Sequence, residues 1–363
     1  MRKSPDEIFS MFRVPGSKPC FEPFGNGHIH DTWAVSIAEK EGYEYIIQRL
    51  NHNVFRNIPG LQENIERVTE HIRNGSGKTR RSGISGNSLT LIPANDGKSW
   101  IKDDNGDFWR MYLFIRNHRS YNIVDTPEKA FEGGRAIGQF QFMLSDLPGK
   151  PLNETIPWFH NIEKRLGTFF QVLGKDICKR ASVAADEINF VTARTEKMTV
   201  IEKAGREGSI PLRITHNDTK FNNILFDTDD RALCLIDLDT VMQGYVHYDF
   251  GDSIRTAASS AAEDEKDLSK VRVKTDLFEG FARGYISETR DFITSEEKEL
   301  LAIAPQVITY TMAVRFLTDS LDGDHYYKIR NPEHNLQRAR AQLKLVESME
   351  QEYGVMASII KRL

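Results

Sequence analysis

The chain has 363 residues, of which 39% are hydrophobic and 28% charged, with a net charge of −4 and a sequence pI of about 6.2. This composition is typical of a globular protein with a sizeable core. The net negative charge argues against a general nucleic-acid-binding protein, which would carry an excess of basic residues. Three scattered cysteines without a CxxC pair argue against a disulfide framework or a structural zinc site. The sequence has no apolar run near the ~18 residues of a membrane span, and its start does not resemble a secretory signal. We therefore expect a cytoplasmic protein without a membrane partner, monomeric or weakly homo-oligomeric.

The first third of the chain predicts a small antiparallel sheet with one helix. Residues 29–37 and 43–50 have the composition and spacing of two paired strands, joined by a turn at Gly42. Residues 61–72 carry apolar side chains at i, i+4, i+7 and i+11, which is one face of a helix. Two further strands are predicted at residues 88–92 and 107–115, with residues 103–106 as the turn between them.

From about residue 125 the apolar spacing becomes helical. The predicted helices are 131–144, 161–177, 187–203, 276–286, 295–317 and 335–353. Residues 211–250 differ, because two short apolar pieces there are separated by polar residues, as in a hairpin with polar loops. The predicted class is therefore α+β: a sheet with one helix, followed by a mainly helical part that contains a polar hairpin.

The strongest chemical signal lies in that polar region. His216 precedes Asp218 by two residues, Asn223 follows Asp218 by five, and Asp237 follows it by nineteen, after a short apolar strand. This spacing matches the catalytic loop and the metal-binding aspartate of kinases. The alternative is a chance occurrence in a turn rich in Asn and Asp, and the strand that leads to Asp237 weakens that alternative.

The residue types suit phosphoryl transfer. Mg²⁺ prefers carboxylate and other oxygen ligands, which Asn223 and Asp237 would supply together with phosphate and water. Asp218 would orient and deprotonate the acceptor hydroxyl, and Lys220 lies close enough in sequence to reach the γ-phosphate. These four residues are the predicted catalytic set.

A glycine-rich segment before the first of these strands is the predicted loop over the phosphates. It comprises Gly25, Asn26, Gly27 and His28, and glycines allow backbone N–H groups to approach a phosphate closely. Two other motifs are misleading. Residues 75–79 spell the end of a Walker A loop, but they follow a helix and lack its first glycine. Asp249-Phe250-Gly251 lies too far beyond Asp218 to hold the metal, so we expect Asp249 or Asp252 to cap the next helix or to brace the catalytic loop.

At this point the sequence resembles a known family. The H-x-D-x₄-N and I-D-x-D motifs, the glycine-rich loop and the order of sheet and helices are similar to those of the aminoglycoside phosphotransferase and choline kinase-like family. Longer strings resemble its branch that phosphorylates N-acetylhexosamines. These strings include residues 27–29, 109–110, 209–213, 215–225, 249–255 and 332–336.

The resemblance implies a bilobal protein-kinase-like fold, with a nucleotide-binding lobe at residues 1–116 and a catalytic and sugar-binding lobe at 117–363. It implies that Mg²⁺ and ATP serve the reaction, and that the γ-phosphoryl group goes to the 1-hydroxyl of N-acetylglucosamine or N-acetylgalactosamine. The adenine would lie against Tyr112, Phe114 and Ile115.

The acceptor pocket depends on the resemblance. From the residues alone, the polar group around Gly323 is a helix end with a solvated loop. The resemblance instead assigns Arg315 and Tyr326 to the sugar pocket. Asp324, with its carboxylate, is added to that acceptor set.

One position departs from the kinase pattern. Many kinases carry a lysine on the third strand that binds the α- and β-phosphates and pairs with a helix glutamate. Here that position is Gln48, so either Gln48 contacts phosphate or Arg49 turns inward, and Glu66 is the candidate helix glutamate.

Two alternatives remain at this stage. One is another small-molecule kinase of the same fold, acting on choline, homoserine or an aminoglycoside, because fold does not determine substrate. The other is a pseudokinase without turnover, against which the complete set of base and metal ligands speaks.

Overall fold

The computed structural model describes residues 4–15, 18–25, 29–38, 40–74 and 88–363. Its amino-terminal lobe is a five-stranded antiparallel sheet in the order β1-β2-β3-β5-β4. The strands are β1 (Pro19–Pro23), β2 (Asp31–Ile37), β3 (Tyr43–Leu50), β4 (Trp100–Lys102) and β5 (Phe108–Leu113), and the helices of this lobe are α1 (Pro5–Phe9) and α2 (Ile58–Asn74).

The two faces of this sheet have different neighbours. Trp109 and Met111 of β5 pack with Ile47 of β3 in a core that also contains the buried side chains of α1. Because side chains alternate along a strand, Arg110 and Tyr112 project to the opposite face, toward the carboxy-terminal lobe. That second face is the one that meets the site described below.

The predicted strands of this lobe are largely confirmed. The strand expected at 29–37 begins at Asp31, and the one at 43–50 has the predicted bounds. The prediction at 88–92 is wrong as a full strand, since that segment makes only an isolated bridge between Leu91 and Tyr112. The strand that precedes the turn at 103–106 is instead β4, which is too short to show a period-2 pattern. The predicted end of a Walker A loop at 75–79 lies outside the described residues.

The carboxy-terminal lobe is mainly helical. Its helices are α3 (Pro127–Leu144), α4 (Ile162–Lys175), α5 (Ala185–Thr192), α6 (Thr195–Met198), α7 (Val200–Arg206), α8 (Val246–Ala257), α9 (Thr275–Thr289), α10 (Ser295–Glu299), α11 (Ala304–Asp322), α12 (His334–Gln351) and α13 (Tyr353–Arg362). Two small hairpins complete it: β6 (Arg213–Thr215) pairs with β9 (Met242–Gly244), and β7 (Ile224–Phe226) pairs with β8 (Ala232–Leu235).

Local chemistry explains several helix boundaries. Thr126 caps α3 by accepting a hydrogen bond from Lys129 N, and Asn161 caps α4 in the same way. The single helix predicted at 295–317 is interrupted, because Pro305 in the first turn of α11 cannot continue the preceding helix. The prediction at 187–203 is likewise replaced by three short helices, α5 to α7.

Helices α3 and α9 form the centre of this lobe, and glycines bring them into close contact. A Cβ atom at Gly134 would lie 2.1 Å from the Phe281 carbonyl oxygen, and one at Gly284 would lie 2.0 Å from that of Phe131. Side chains at these two positions would therefore force the helices apart. The contact fixes α3, which supports the catalytic loop through Gln141.

To cross a membrane, one of the described helices would have to be both long and apolar. No single one of them meets both criteria. Residues Ser295–Ala302 and Ala304–Asp322 meet them only as a pair that bends by 59°.

Candidate active site

The catalytic loop joins β6 to β7, and α8 holds it in place. Asp249 of α8 accepts hydrogen bonds from the backbone N–H groups of His216 (2.9 Å) and Asn217 (2.7 Å), and from the Gln141 side chain (2.8 Å). This bracing supports the left-handed backbone of Asn217, whose φ is 67°. Of the two expectations for Asp249, bracing of the loop is confirmed; it does not cap α8, which begins at Val246.

Asp218 lies in this loop beside one cation and one amide. Lys220 Nζ is 2.9 Å from its carboxylate, and Asn223 Nδ2 donates to its carbonyl oxygen at 2.9 Å and to its carboxylate at 3.3 Å. Burial favours the neutral acid, but the charge and hydrogen bond of Lys220 lower the pKa of Asp218 below its ordinary value. Asp218 is therefore a carboxylate at neutral pH, able to accept a proton.

The loop that carries Asp237 is attached to the catalytic loop by two hydrogen bonds. His216 Nε2 donates to the Ile236 carbonyl at 2.9 Å, and Ile236 N donates to the Asn223 carbonyl at 2.9 Å. Asp237 follows with a left-handed backbone, at φ 62° and ψ 54°. The chain thus turns sharply at Asp237, which is exposed.

The electrostatics at Asp237 fit a cation. The surrounding protein raises the pKa of Asp237, and repulsion from Asp239 and Asp218 raises it further, although the residue remains open to solvent. Among the described residues, no basic side chain lies within 4.0 Å of Asp237, and no group of three or more His, Cys, Asp or Glu side chains has a metal-binding arrangement. Since Asn223 Nδ2 faces Asp218, its amide oxygen is directed away and is free to bind. Mg²⁺ at this place would thus take Asp237 and Asn223 as ligands and complete its shell with phosphate and water.

A second aspartate, two residues further on, is fully paired. Arg110 of β5 donates to both carboxylate oxygens of Asp239, one of these bonds measuring 2.8 Å, and His30 Nε2 donates to it at 2.5 Å. These cationic and polar partners outweigh burial and lower the pKa of Asp239. No role was predicted for Asp239 or Arg110 from the sequence, because the two residues pair only when the two lobes dock.

The predicted nucleotide residues of the sheet are partly corrected. The Gln48 amide is half-buried; it accepts from Arg110 Nε at 2.9 Å and donates to Thr32 Oγ1 at 3.0 Å. Arg49 turns outward to Asp31 rather than inward. Glu66, the candidate helix glutamate, is exposed on α2.

Gln62, four residues earlier on that helix, is one of its three buried polar side chains, with Asn64 and Thr69. It is fully buried, and neither of its amide atoms has a hydrogen-bond partner among the described residues. Helical periodicity does not reveal which turn of α2 faces the other lobe, so the sequence analysis missed it.

The remaining nucleotide predictions concern the first loop and the segment after β5. Gly25 has φ 77°, a conformation that favours glycine, whereas Asn26, Gly27 and His28 lie outside the described residues. Tyr112 is buried beneath Arg110, whose guanidinium carbon is 5.1 Å from the ring centroid. Phe114 makes edge contacts with Phe24 and Tyr43, and Ile115 follows it, half-buried.

On the other side of Asp218, Arg315 is surrounded by aromatic rings. Its guanidinium carbon lies 4.8 Å from the ring centroid of Phe159 and 5.7 Å from those of Tyr326 and Tyr327. None of the ion pairs found among the described residues involves Arg315. Burial and then repulsion by Arg315 lower the pKa of Arg165 to about 10. For Arg315 itself, burial is outweighed by Tyr327, Tyr326 and Asp218, which raise the pKa.

Asp324 does not belong to this open region. Its carboxylate is bound by Arg180 Nη1 at 2.6 Å and by Asn335 Nδ2 at 2.8 Å, and its side chain is 3% exposed. The assignment of Asp324 to the acceptor wall is therefore corrected: it holds the loop after α11 in place. His160 and Tyr327, which the sequence analysis missed, have polar atoms near Arg315 that are buried without a partner among the described residues, namely His160 Nδ1 and the Tyr327 hydroxyl.

Solved structures with the same architecture are small-molecule kinases. The chain is similar to a microcompartment-associated aminopropanol kinase (TM-score 0.65, 16% identity, covering 96% of this chain and 97% of that one). It is also similar to an aminoglycoside phosphotransferase from Alicyclobacillus acidocaldarius (0.62, 12%, 100% and 98%). A third is a spectinomycin phosphotransferase in complex with ADP and spectinomycin (0.55, 12%, 99% and 98%). At these identities the similarity establishes the bilobal, kinase-like fold.

The chain belongs to the phosphotransferase enzyme family, whose model, designated APH, matches residues 100–292, more than half of the chain. The match includes the catalytic loop and the segment with Asp237 and Asp239. The family-level resemblance noted from the motifs is thereby confirmed.

Proposed function

We propose that this protein is an N-acetylhexosamine 1-kinase, which transfers the γ-phosphoryl group of ATP to the 1-hydroxyl of N-acetylglucosamine or N-acetylgalactosamine. The products are the sugar 1-phosphate and ADP. In this proposal residues 1–116 form the nucleotide-binding lobe and 117–363 the catalytic and sugar-binding lobe, and the reaction takes place in the cytoplasm.

The acceptor side of Asp218 is the observation that carries the sugar assignment. It presents Arg315, without a carboxylate partner among the described residues, within a group of aromatic rings. The carboxylates behind it are already paired, since Asp324 binds Arg180 and Asp252 binds Arg255. A choline, ethanolamine or aminoglycoside cation would meet a positive charge there, whereas a neutral sugar offers hydroxyl and amide oxygens to the guanidinium and apolar ring faces to the aromatic side chains.

The chemistry follows from the residues around Asp218. Asp218 accepts the proton of the 1-hydroxyl as that oxygen bonds to the γ-phosphorus and the bond from phosphorus to the β,γ-bridging oxygen breaks. Lys220, 2.9 Å from Asp218, keeps this carboxylate ionised and lies on the path of the transferred group. When bound at Asn223 and Asp237, Mg²⁺ would supply positive charge to the triphosphate. Most of the rate enhancement would therefore come from positioning and charge neutralisation.

The direct test is product analysis. Purified protein is incubated with Mg-ATP and each sugar, and we expect an acid-labile phosphate ester whose phosphorus couples to the anomeric proton in a ¹H–³¹P NMR spectrum. Parallel reactions contain choline, homoserine and an aminoglycoside, with ADP release as the readout and the Asp218→Asn variant as the blank. Turnover of a cationic acceptor without turnover of either sugar would refute the sugar assignment, and the absence of turnover with intact ATP binding would support a pseudokinase.

A further inference from the structure

The kinase lysine position is taken by a pair of residues on two strands. Gln48 of β3 and Arg110 of β5 are direct partners in the antiparallel register. Paired residues project to the same face of a sheet, so the Arg110 guanidinium lies beside the position where a lysine at 48 would extend. Arg49, the other candidate cation, is on the opposite face, over Trp109.

Arg110 is held firmly. Its Nε donates to Gln48 and its two terminal nitrogens donate to Asp239, so three of its five N–H donors are occupied. Arg110 and Asp239 are each 1% exposed. A buried ion pair of this kind is weak evidence for stability, because apolar residues in its place often stabilise a protein as well or better. Its location therefore suggests a role in the function of the site.

His30 adds a third N–H donor to the same carboxylate. Asn51 N donates to His30 Nδ1 at 3.0 Å, so the ring carries its proton on Nε2, which points at Asp239. All three donors to Asp239 thus come from the sheet lobe. Asp239 itself belongs to the 3₁₀ turn Leu238–Thr240, which begins directly after Asp237.

We propose that Arg110 is a positioning residue that replaces the strand lysine of other kinases: through Asp239 it fixes the turn that presents Asp237 and joins that turn to the sheet. Asp239 is occupied by this pairing and does not act as a metal ligand. The proposal rests on the nucleotide half of the proposed function and is independent of the identity of the acceptor.

The proposal is tested by calorimetric titration of ATP without an acceptor, once with Mg²⁺ and once with EDTA. Loss of a group that orients a metal ligand costs about 10- to 100-fold in metal affinity. For Arg110→Gln we therefore expect a similar loss of Mg-ATP affinity and little change for metal-free ATP. Asp239→Asn should lose Mg-ATP affinity to a similar extent. The double variant should bind Mg-ATP no more weakly than the single variant with the larger loss, because both changes break the same interaction.

Two further variants guard against simple misfolding. The double variant Gln48→Lys/Arg110→Gln places the cation on β3, where other kinases carry their lysine. It should recover a large part of the Mg-ATP affinity that Arg110→Gln loses. Arg49→Gln removes the neighbouring arginine from the outer face and should bind Mg-ATP as the wild type does.

Three results would overturn the proposal. The first is a wild-type affinity for Mg-ATP in Arg110→Gln. The second is an equal loss of affinity for ATP with and without Mg²⁺ in that variant, which would make Arg110 a direct phosphate ligand. The third is a loss of Mg-ATP affinity in the double variant that equals the sum of the single losses. A wild-type protein that binds Mg-ATP but phosphorylates no sugar would refute the acceptor assignment alone. A wild type that binds no Mg-ATP would refute both.

Discussion

In the proposed function, the donor and acceptor sides of the Asp218 carboxylate differ in charge. On the donor side, Asp237 is exposed next to Asp239 and Asp218. Desolvation by the surrounding protein and then repulsion from these two carboxylates raise its pKa. On the acceptor side, Arg315 and Arg165 form no ion pair with a carboxylate among the described residues. Burial and then Arg315 lower the pKa of Arg165 to about 10, whereas for Arg315 burial is outweighed by Tyr327, Tyr326 and Asp218, which raise the pKa. In the proposed function, the donor side thus favours a cation, as a metal-bound triphosphate brings, and the acceptor side disfavours one.

The largest effect is expected at the residue between the two sides. Asp218→Asn removes the proton acceptor and keeps the side-chain shape, so we expect kcat to fall by about 10²- to 10⁴-fold. The affinity for Mg-ATP, measured by calorimetry, should change little, because Asp218 is not a predicted ligand of the metal. Asp229→Asn, in the exposed turn between β7 and β8, is the matched control. Near-normal turnover of Asp218→Asn would remove Asp218 from the mechanism.

The next effect tests the acceptor side alone. Arg315→Met keeps the side-chain length and removes the charge and its hydrogen bonds, which are worth about 1.5–3 kcal/mol each. We therefore expect the KM for the sugar to rise roughly 10- to 100-fold, while the KM for ATP stays within about twofold, since the donor side is unchanged. Arg362→Met, on the exposed last helix, serves as control. A rise in the KM for ATP of equal size would show that the two sides are not separate.

Site residues that contact neighbours in the sequence were predicted from it, whereas those that contact distant residues were not. Asp218, Lys220 and Asn223 lie within six residues of one another, so their spacing alone indicates their convergence. Arg110 and Asp239 are 129 residues apart, and their pairing depends on strand register and lobe docking, which no local pattern encodes. Asp324 was misassigned because its residue type and its place near Arg315 suggested an acceptor contact, whereas its cationic partner Arg180 is 144 residues away in sequence. The fold class was predictable because the period changes clearly from strand to helix near residue 125.

A smaller effect concerns a carboxyl group behind the acceptor side. Glu202 accepts hydrogen bonds from Asn161 at 2.8 Å and from Tyr248, whose ring contacts that of His160. Burial raises the pKa of Glu202 from 4.5 to about 6. The native state therefore retains this proton to higher pH than the unfolded chain, and Glu202 costs stability as the pH rises from about 4.5 through 6.

It follows that Glu202→Gln, which cannot ionise, should be more stable than the wild type at pH 8, by up to about 2 kcal/mol. The difference should shrink as the pH falls toward 5, and denaturant unfolding at both pH values measures it. Glu196→Gln, at a nearby exposed position, should show no such dependence. A variant that is less stable than the wild type at pH 8 would contradict the assigned cause, since it would mean that the ionised carboxylate is favoured in the native state. On the donor side the sign is reversed, because the partners of Asp239 lower its pKa.

The smallest effect tests whether Asp324 belongs to the acceptor side at all. Asp324→Asn weakens the contact with Arg180, which is 34% exposed, so the expected loss of stability is about 1 kcal/mol. The KM for the sugar should stay within about twofold, because the Asp324 carboxylate faces Arg180 and Asn335 and not the ring of aromatic residues around Arg315. Asp322→Asn, two residues earlier and exposed, controls for the loss of a charge in the same loop. A tenfold rise in the KM for the sugar at unchanged thermal stability would return Asp324 to the acceptor wall. It would also give this side a carboxylate and reopen the case for a cationic acceptor.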